Sequence, residues 1–313
     1  MILEEIKKEK NEFIKRKKAI NSDTASAYNI SIGYFIKYLE DTTEETTELT
    51  ETILNKKLEE FKGVLKTGAL IIDNKPKTFK TSTINTHLKR CITFLRSLNY
   101  NITVSKFRVN NERPKALAYE EVLLLINEAE NCFKNTELAI RTKTLIRFLF
   151  NTGFRINEAL TITLNNLYER DNNYYVKIHE KGKATDSLLE VAISEKTYNS
   201  LRDYLSIKQY ESIYLFSGLK PTAKKLTRNV ISENFKTLAS FVDNKYNTNL
   251  LDTVKNNSTH FLRKSKASYL LNVKKYDVVE VKEILRHTNI NTTLSYLHKK
   301  EDHINNIRVN NDI

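Results

Sequence analysis

Four side chains in the C-terminal part of the sequence could together cleave a phosphodiester bond. They are two imidazoles, a guanidinium and a phenol: His260, Arg263, His287 and Tyr296. A phenol can act as the nucleophile, and an imidazole can accept its proton. A guanidinium and a second imidazole can hold the negative charge that develops on the phosphate oxygens. The set therefore predicts attack on a phosphodiester without a metal ion.

A second guanidinium lies upstream, in the segment Asn-Thr-Gly-Phe-Arg-Ile-Asn-Glu-Ala-Leu at residues 151–160. The Thr-Gly pair separates two helical patterns, so the side chain of Arg155 can emerge from a turn into a cleft. Glu158 follows three residues later and could form an ion pair with Arg155. This pair is compatible with a structural role as well as a catalytic one.

His260 and Arg263 are three residues apart, which places both on one face of a helix. Residues 257–259 predict an N-cap, so that both side chains would lie in the first turn, near the positive end of the helix dipole. Taken singly, His260 could be a core histidine and Arg263 a surface cation. Tyr296, with a leucine on either side, could equally pack in a core.

Long helices are expected to position these groups, because only six Gly and three Pro interrupt 313 residues. In the first hundred residues we predict four helices: residues 1–20, a helix capped by Ser22 and Asp23, residues 53–64, and a helix opened by Ser82. Residues 68–80 are predicted to be a loop. The fourth helix carries three cations that could meet phosphates, or could simply face solvent: Lys89, Arg90 and Arg96.

The rest of the chain predicts a second domain of mixed structure. Helical patterns cover residues 119–129 and 141–151, and helices resume from Glu195. Alternating apolar residues predict a β-hairpin formed by residues 174–178 and 188–193. We therefore expect a mainly α protein with a helical N-terminal domain (1–103), a linker (104–115) and a mixed α+β domain with a small β-sheet (116–313).

Composition indicates a polyanionic partner. The net charge is +13 and the pI about 9.4, and residues 53–115 contain 14 Lys or Arg against 4 Asp or Glu. Such a concentration favours nucleic acid, although basic helices that bind membrane surfaces share it. No apolar run approaches a membrane span or a signal peptide, and Cys91 and Cys132 show no metal-ligand spacing. These features predict a cytoplasmic protein with buried thiols and no metal site.

In order and spacing, these motifs resemble those of the tyrosine recombinases, or phage integrase family, with the simpler Xer-like organisation. Residues 152–160 resemble the family's first arginine box. The family's catalytic positions correspond to Arg155, Lys181, His260, Arg263, His287 and Tyr296, and Glu158 corresponds to its supporting acid. Two features depart from the pattern. Arg286 stands where the family usually has Gly, and Lys183 competes with Lys181 for the β-turn lysine.

The resemblance implies metal- and ATP-independent DNA strand transfer without a cofactor. Tyr296 would form a 3′-phosphotyrosyl link, His260 would act as base and Lys181 as acid. The substrate would be duplex DNA with inverted-repeat half-sites, with a dimer on each site and a tetramer on two duplexes. Dimer resolution and integration of a mobile element both remain open. The alternatives are DNA relaxation of the type IB topoisomerase kind and a non-catalytic DNA-binding protein on the same fold.

Overall fold

The computed structural model describes residues 1–72, 75–109, 115–179, 188–222 and 224–297, without the side chains of residues 257 and 258. The chain divides into two compact units, Met1–Asn111 and Glu112–Ile313. Each unit has its own hydrophobic core. The residues that the structure describes are mainly helical, with two small antiparallel sheets, which confirms the predicted fold class.

The described part of the N-terminal unit contains four helices and a short hairpin: α1 Leu3–Ile20, α2 Ser22–Thr42, α3 Glu51–Thr67, β1 Ile71–Ile72, β2 Lys75–Pro76 and α4 Thr81–Arg96. Apolar side chains at helical spacing meet in one core, where Phe35, Phe61 and Phe94 are fully buried. The four predicted helices are confirmed. The β1–β2 hairpin lies within residues 68–80, so the prediction that this whole segment is a loop is wrong. Val104 and Phe107, in the predicted linker, pack against this same core.

The start of α2 differs from the prediction. Its N-cap is Asn21, whose side-chain oxygen accepts a hydrogen bond from the backbone N–H of Thr24 at 2.8 Å. An N-cap residue has extended backbone angles while its side chain satisfies a free N–H of the first turn. Asn21 has φ −162° and ψ 121°, so Ser22 is already the first helical residue.

Nine helices and three strands are described in the C-terminal unit. They are α5 Tyr119–Cys132, α6 Thr136–Thr152, α7 Ile156–Leu160, β3 Leu167–Arg170, β4 Asn173–His179, β5 Leu188–Ile193, α8 Glu195–Ser206, α9 Arg228–Tyr246, α10 Leu250–Asn257, α11 Phe261–Ser268, α12 Val278–Leu285 and α13 Ile290–Leu294. A π-helix, Tyr269–Val273, joins α11 to the segment before α12. The predicted helices at 119–129 and 141–151 lie within α5 and α6.

The small sheet has the order β3-β4-β5, with both pairs antiparallel. Val176 of β4 pairs with Val191 of β5 and with Leu167 of β3, which sets the register. The predicted β4–β5 hairpin is confirmed, and β3 is an additional strand. Residues 180–187 lie outside the described residues, and so do the two candidate lysines of the turn, Lys181 and Lys183.

Helix α6 is the centre of the C-terminal core. Its residues Leu145, Phe148 and Leu149 are buried in the cluster that also contains Phe261 and Leu262 of α11. The helix therefore supports both the first arginine box, which follows it, and the segment that carries His260. Among the described residues, no helix has the length and apolar character to cross a membrane. Cys91 and Cys132 are free thiols, and Cys91 is buried.

Candidate active site

The first arginine box begins at the end of α6. Gly153 caps this helix with φ +64°, a left-handed conformation that favours glycine. A Cβ atom at Gly153 would also collide with the side chain of Leu285. The glycine thus lets the chain turn sharply and lets the end of α12 approach closely, so that Arg155 follows directly as the N-cap of α7.

Arg155 is held by Glu158. Its backbone N–H donates to Glu158 Oε2 at 2.8 Å, and its Nη1 donates to Oε1 at 2.8 Å. The Glu158 side chain is 4% exposed, whereas that of Arg155 is 26% exposed. A buried carboxylate therefore orients a guanidinium that reaches the surface. The predicted ion pair between these residues is present.

Arg263 connects two of the motif segments. Its Nη1 donates to the carbonyl oxygen of Gly153 at 2.6 Å, and its Nη2 donates to the carbonyl oxygen of Leu285. A guanidinium has five N–H groups, so these bonds leave others for an anion. Burial, and then the charge of Arg155, lower the pKa of Arg263 to about 10. The side chain is therefore cationic at neutral pH.

His260 lies in a turn of 3-10 helix, Ser258–His260, that joins α10 to α11. The predicted N-cap at residues 257–259 is wrong, because α10 continues to Asn257 and His260 itself precedes the first residue of α11. With φ −90° and ψ −8°, His260 has no extended N-cap conformation. Burial and then the charges of Arg228 and Arg263 lower its pKa. The imidazole is thus neutral at pH 7 and can accept a proton.

His287 follows Arg286, the cap residue of α12, and is buried. Its Nδ1 lies 2.8 Å from the hydroxyl of Thr293, which leaves Nε2 as the ring nitrogen that can meet a ligand. Burial, followed by the charges of Arg263 and Arg155, lowers its pKa to about 4. Both histidines therefore share an electropositive environment with the two arginines.

Tyr296 lies just after α13 and is 9% exposed. Its ring packs in a small apolar cluster with Ala267, Leu270, Leu271, Val281 and Leu285. Burial raises the pKa of the Tyr296 hydroxyl, and the charge of Arg263 opposes this rise. The phenol is protonated at neutral pH, so its use as a nucleophile requires a proton acceptor.

Three residues that the sequence did not assign to the site hold its members in place. Thr293 orients His287, and the Nδ2 of Asn272 in the π-helix donates to the carbonyl oxygen of Tyr296 at 3.0 Å. Arg286 Nη2 donates to Glu158 Oε2 at 2.8 Å. Only Arg286 had a signal in the sequence, as the residue standing where the family usually has Gly.

The three candidate DNA-binding cations lie on α4, in the N-terminal unit. Lys89 is exposed on α4, Arg90 donates to the hydroxyl of Ser31 at 3.2 Å, and Arg96 donates to the carbonyl oxygen of Ile102 at 2.6 Å. These three cations belong to the N-terminal unit, whereas every described catalytic candidate belongs to the C-terminal unit. Among the residues with described positions, no cluster of three or more His, Cys, Asp or Glu could hold a metal ion.

Known proteins resemble this chain in sequence and in fold. The tyrosine recombinase XerH of Campylobacter jejuni is 29% identical over 191 residues, which are 60% of this chain and 49% of that protein. The tyrosine recombinase XerC of Rickettsia bellii is 30% identical over 194 residues, 61% of this chain and 58% of that protein. The matched segments thus span about half of these relatives.

A crystal structure of XerH bound to palindromic difH substrate, a post-cleavage complex, has the same fold. Its TM-score is 0.69 at 20% identity, and the match covers 95% of this chain and 82% of that one. The sequence profile of the phage integrase family matches residues 115–303, which include all six candidate catalytic residues. This chain belongs to the phage integrase family.

Proposed function

We propose that this chain is a site-specific tyrosine recombinase that cleaves and rejoins duplex DNA through a 3′-phosphotyrosyl intermediate. The observation that carries the proposal is the position of Arg263, whose guanidinium bonds the main chain beside Arg155 and beside His287. The Arg263 side chain thus connects its own helix, α11, to the first arginine box and to the segment that carries His287. Membership of the family and the named Xer relatives support the same activity.

In the first step, the Tyr296 hydroxyl attacks the scissile phosphorus. The bond from phosphorus to the tyrosine oxygen forms while the bond to the 5′-oxygen breaks. The neutral imidazole of His260 accepts the phenolic proton. This division of roles fits the opposite directions of the two pKa shifts, since the tyrosine is protonated and the histidine is not.

The leaving 5′-oxygen needs a proton, and we assign that role to Lys181, with Lys183 as the competing residue. Both lie outside the described residues. They belong to the connection between β4 and β5, whose paired ends are His179 and Leu188. A lysine of this connection would act as the general acid that donates a proton to the leaving 5′-oxygen.

Negative charge on the non-bridging phosphate oxygens is held by Arg155 and Arg263, with a further hydrogen bond from His287. Arginine suits this task because its planar N–H groups match two oxygens at once. The covalent link conserves the energy of the broken bond, and the reverse attack by a 5′-hydroxyl rejoins the strand. The cycle therefore consumes neither ATP nor another cofactor.

The proposed substrate is duplex DNA with inverted-repeat half-sites in the cytoplasm. A dimer would occupy each site and a tetramer would exchange strands between two duplexes. The N-terminal unit would contribute phosphate contacts through Lys89, Arg90 and Arg96. The XerH relative of known structure is bound to a palindromic substrate, which is the DNA class proposed here.

Capture of covalent complexes tests the proposal without knowledge of the target site. The protein is incubated with fragmented DNA from its own host, the mixture is denatured, and the DNA that stays attached to protein is sequenced. We expect fragments joined through their 3′ phosphate that share one inverted repeat, and none with Tyr296→Phe. Absence of attached DNA with the unaltered protein would overturn the assignment. On a supercoiled plasmid that carries two copies of the captured sequence, relaxation without strand exchange would favour a topoisomerase.

A further inference from the structure

Arg286 occupies a backbone position that favours glycine. It ends α12 with φ +54° and ψ +50°, and its N–H donates to the carbonyl oxygen of Glu283. A residue with a Cβ atom adopts this left-handed conformation at an energetic cost. An arginine at this position therefore carries a backbone cost that a glycine would avoid.

The side chain of Arg286 contacts two residues of the first arginine box. Its Nη2 lies 2.8 Å from Glu158 Oε2, and its guanidinium carbon is 4.8 Å from the centre of the Phe154 ring. The Arg286 side chain is only 11% exposed. Glu158 also accepts two hydrogen bonds from Arg155. One buried carboxylate therefore holds two guanidiniums that are 131 residues apart in sequence (286 − 155).

We propose that Arg286 is a positioning residue for DNA cleavage, which fixes the guanidinium of Arg155 through Glu158. The inference rests on the proposed recombinase function. Glu158 Oε1 accepts from the Arg155 side chain, and Oε2 accepts from the Arg155 main chain and from Arg286. With Arg286 in place, the carboxylate is bonded on both oxygens by groups that belong to two different helices.

The charges of Arg155, Arg286 and Glu158 also favour this role for Arg286. Two guanidiniums and one carboxylate sum to +1, whereas Arg155 and Glu158 alone sum to zero. The cluster of three side chains therefore keeps a net positive charge, while the hydrogen bonds to Glu158 keep Arg155 in place. Because Arg286 immediately precedes His287, the same ion pair also ties the turn carrying that histidine to α7.

A glycine substitution tests this role with little risk to folding, since Arg286→Gly gives the backbone the residue it favours. DNA affinity and the rate of covalent complex formation are measured separately, with a nicked substrate that traps the intermediate. We expect Arg286→Gly to slow cleavage by on the order of tenfold to a hundredfold, as for other small misplacements of catalytic groups. DNA affinity should change less than about twofold, and Arg286→Lys should recover part of the rate.

The control is Lys275→Gly, because Lys275 is exposed and has a similar left-handed backbone, with φ +60°. This change should leave cleavage unaltered. A double variant with Glu158→Gln distinguishes an indirect role from a direct one. If Arg286 acts through Glu158, adding Arg286→Gly to Glu158→Gln should cause no further loss.

Two results would overturn the positioning role: full-rate cleavage by Arg286→Gly, or independent, multiplicative losses in the double variant, which would indicate direct contact with phosphate. Failure of the unaltered protein to form any covalent complex would instead reject the proposed recombinase function. The two failures are therefore separable in one experiment.

Discussion

At the scale of single residues, the candidate site combines a protonated phenol with neutral imidazoles. Burial raises the pKa of Tyr296, and burial with nearby arginines lowers those of His260 and His287. A protonated nucleophile and a neutral base are the starting state for proton transfer during attack. Burial and the charge of Arg228 thus act together with Arg263 and Arg155, which would stabilise the phosphate, to lower the pKa of the proposed base, His260.

Removal of one oxygen atom tests the nucleophile. Tyr296→Phe should keep DNA affinity and abolish covalent complex formation, because the ring still fills its apolar cluster while the attacking hydroxyl is lost. A nicked substrate on a denaturing gel provides the measurement. Tyr276→Phe is the matched control, since Tyr276 is 47% exposed and should be dispensable. A protein–DNA adduct persisting in Tyr296→Phe would place the nucleophile elsewhere.

The choice between Lys181 and Lys183 can be made with a modified leaving group. A 5′-bridging sulfur leaves as a thiolate and needs no general acid. Lys181→Ala should therefore cleave the ordinary substrate poorly and the sulfur substrate at nearly the normal rate. Lys183→Ala should cleave both the ordinary and the sulfur substrate at nearly the normal rate. Rescue of Lys183→Ala instead would reverse the assignment.

The lowered pKa of His287 predicts a dependence of stability on pH. In the unfolded chain this ring binds a proton near pH 6.5, whereas in the folded protein it does so only at about 4. Protonation of the ring therefore favours the unfolded chain. The free energy of unfolding is highest above pH 6.5 and decreases as the pH falls toward 4. The loss should be on the order of 2 to 3 kcal/mol.

Denaturant unfolding at pH 4 to 7.5 measures this effect, with His287→Gln as the comparison. The variant has no titrating ring at this position, so its stability should decline less over the same interval. Parallel curves for the two proteins would show that His287 is not held in the neutral form.

At the scale of elements, the π-helix Tyr269–Val273 links the α11 segment to the nucleophile. Such helices are rare and often occur at functional sites. Here Asn272 donates to the carbonyl oxygens of Ser268 and Tyr296, at 2.9 Å and 3.0 Å. The element thereby connects the turn after α13 to the chain that begins with His260 and Arg263.

Loss of this amide should misplace the nucleophile. Asn272→Ala is expected to slow covalent complex formation about tenfold or more without weakening DNA binding, because small misplacements of reacting groups are costly. Single-turnover cleavage and equilibrium binding on one duplex give both values. Asn173→Ala, which removes an exposed amide at the start of β4, serves as the control. Unchanged cleavage by Asn272→Ala would limit this bond to a structural role.

At the scale of the whole molecule, the excess of 13 positive charges predicts strongly salt-dependent DNA binding. Each phosphate neutralised contributes roughly −0.9 to the slope of log affinity against log salt, so about eight contacts give a slope near −7. Lys89→Gln should make that slope shallower by about one unit. Arg96→Gln should do the same and also lose stability, because Arg96 supports the carbonyl of Ile102.

Lys7→Gln is the control for this measurement. Lys7 already pairs with Glu4 and Glu40, at 2.6 Å and 2.8 Å, so it should not neutralise a phosphate. Slopes that are equal for Lys89→Gln and the unaltered protein would exclude Lys89 from the DNA contacts.

The sequence alone determined the mainly helical fold and the β4–β5 hairpin. Helical spacing, scarce Gly and Pro, and alternating strands are local signals that neighbouring residues carry. The sequence did not predict β3, the short β1–β2 hairpin or the end of α10 at Asn257. Tertiary pairing or continued helical geometry decided these points, and no strong local signal marks them.

For the site, the sequence supplied the side-chain types and their order, and with them the family. Only the tertiary structure joined Arg263 to the carbonyls of Gly153 and Leu285, and Asn272 to the carbonyl of Tyr296. Carbonyl oxygens occur at every residue, so no sequence pattern identifies the one that will be used. The Arg286–Glu158 pair spans 128 residues, and only packing of α12 against the arginine box brings its two charges together.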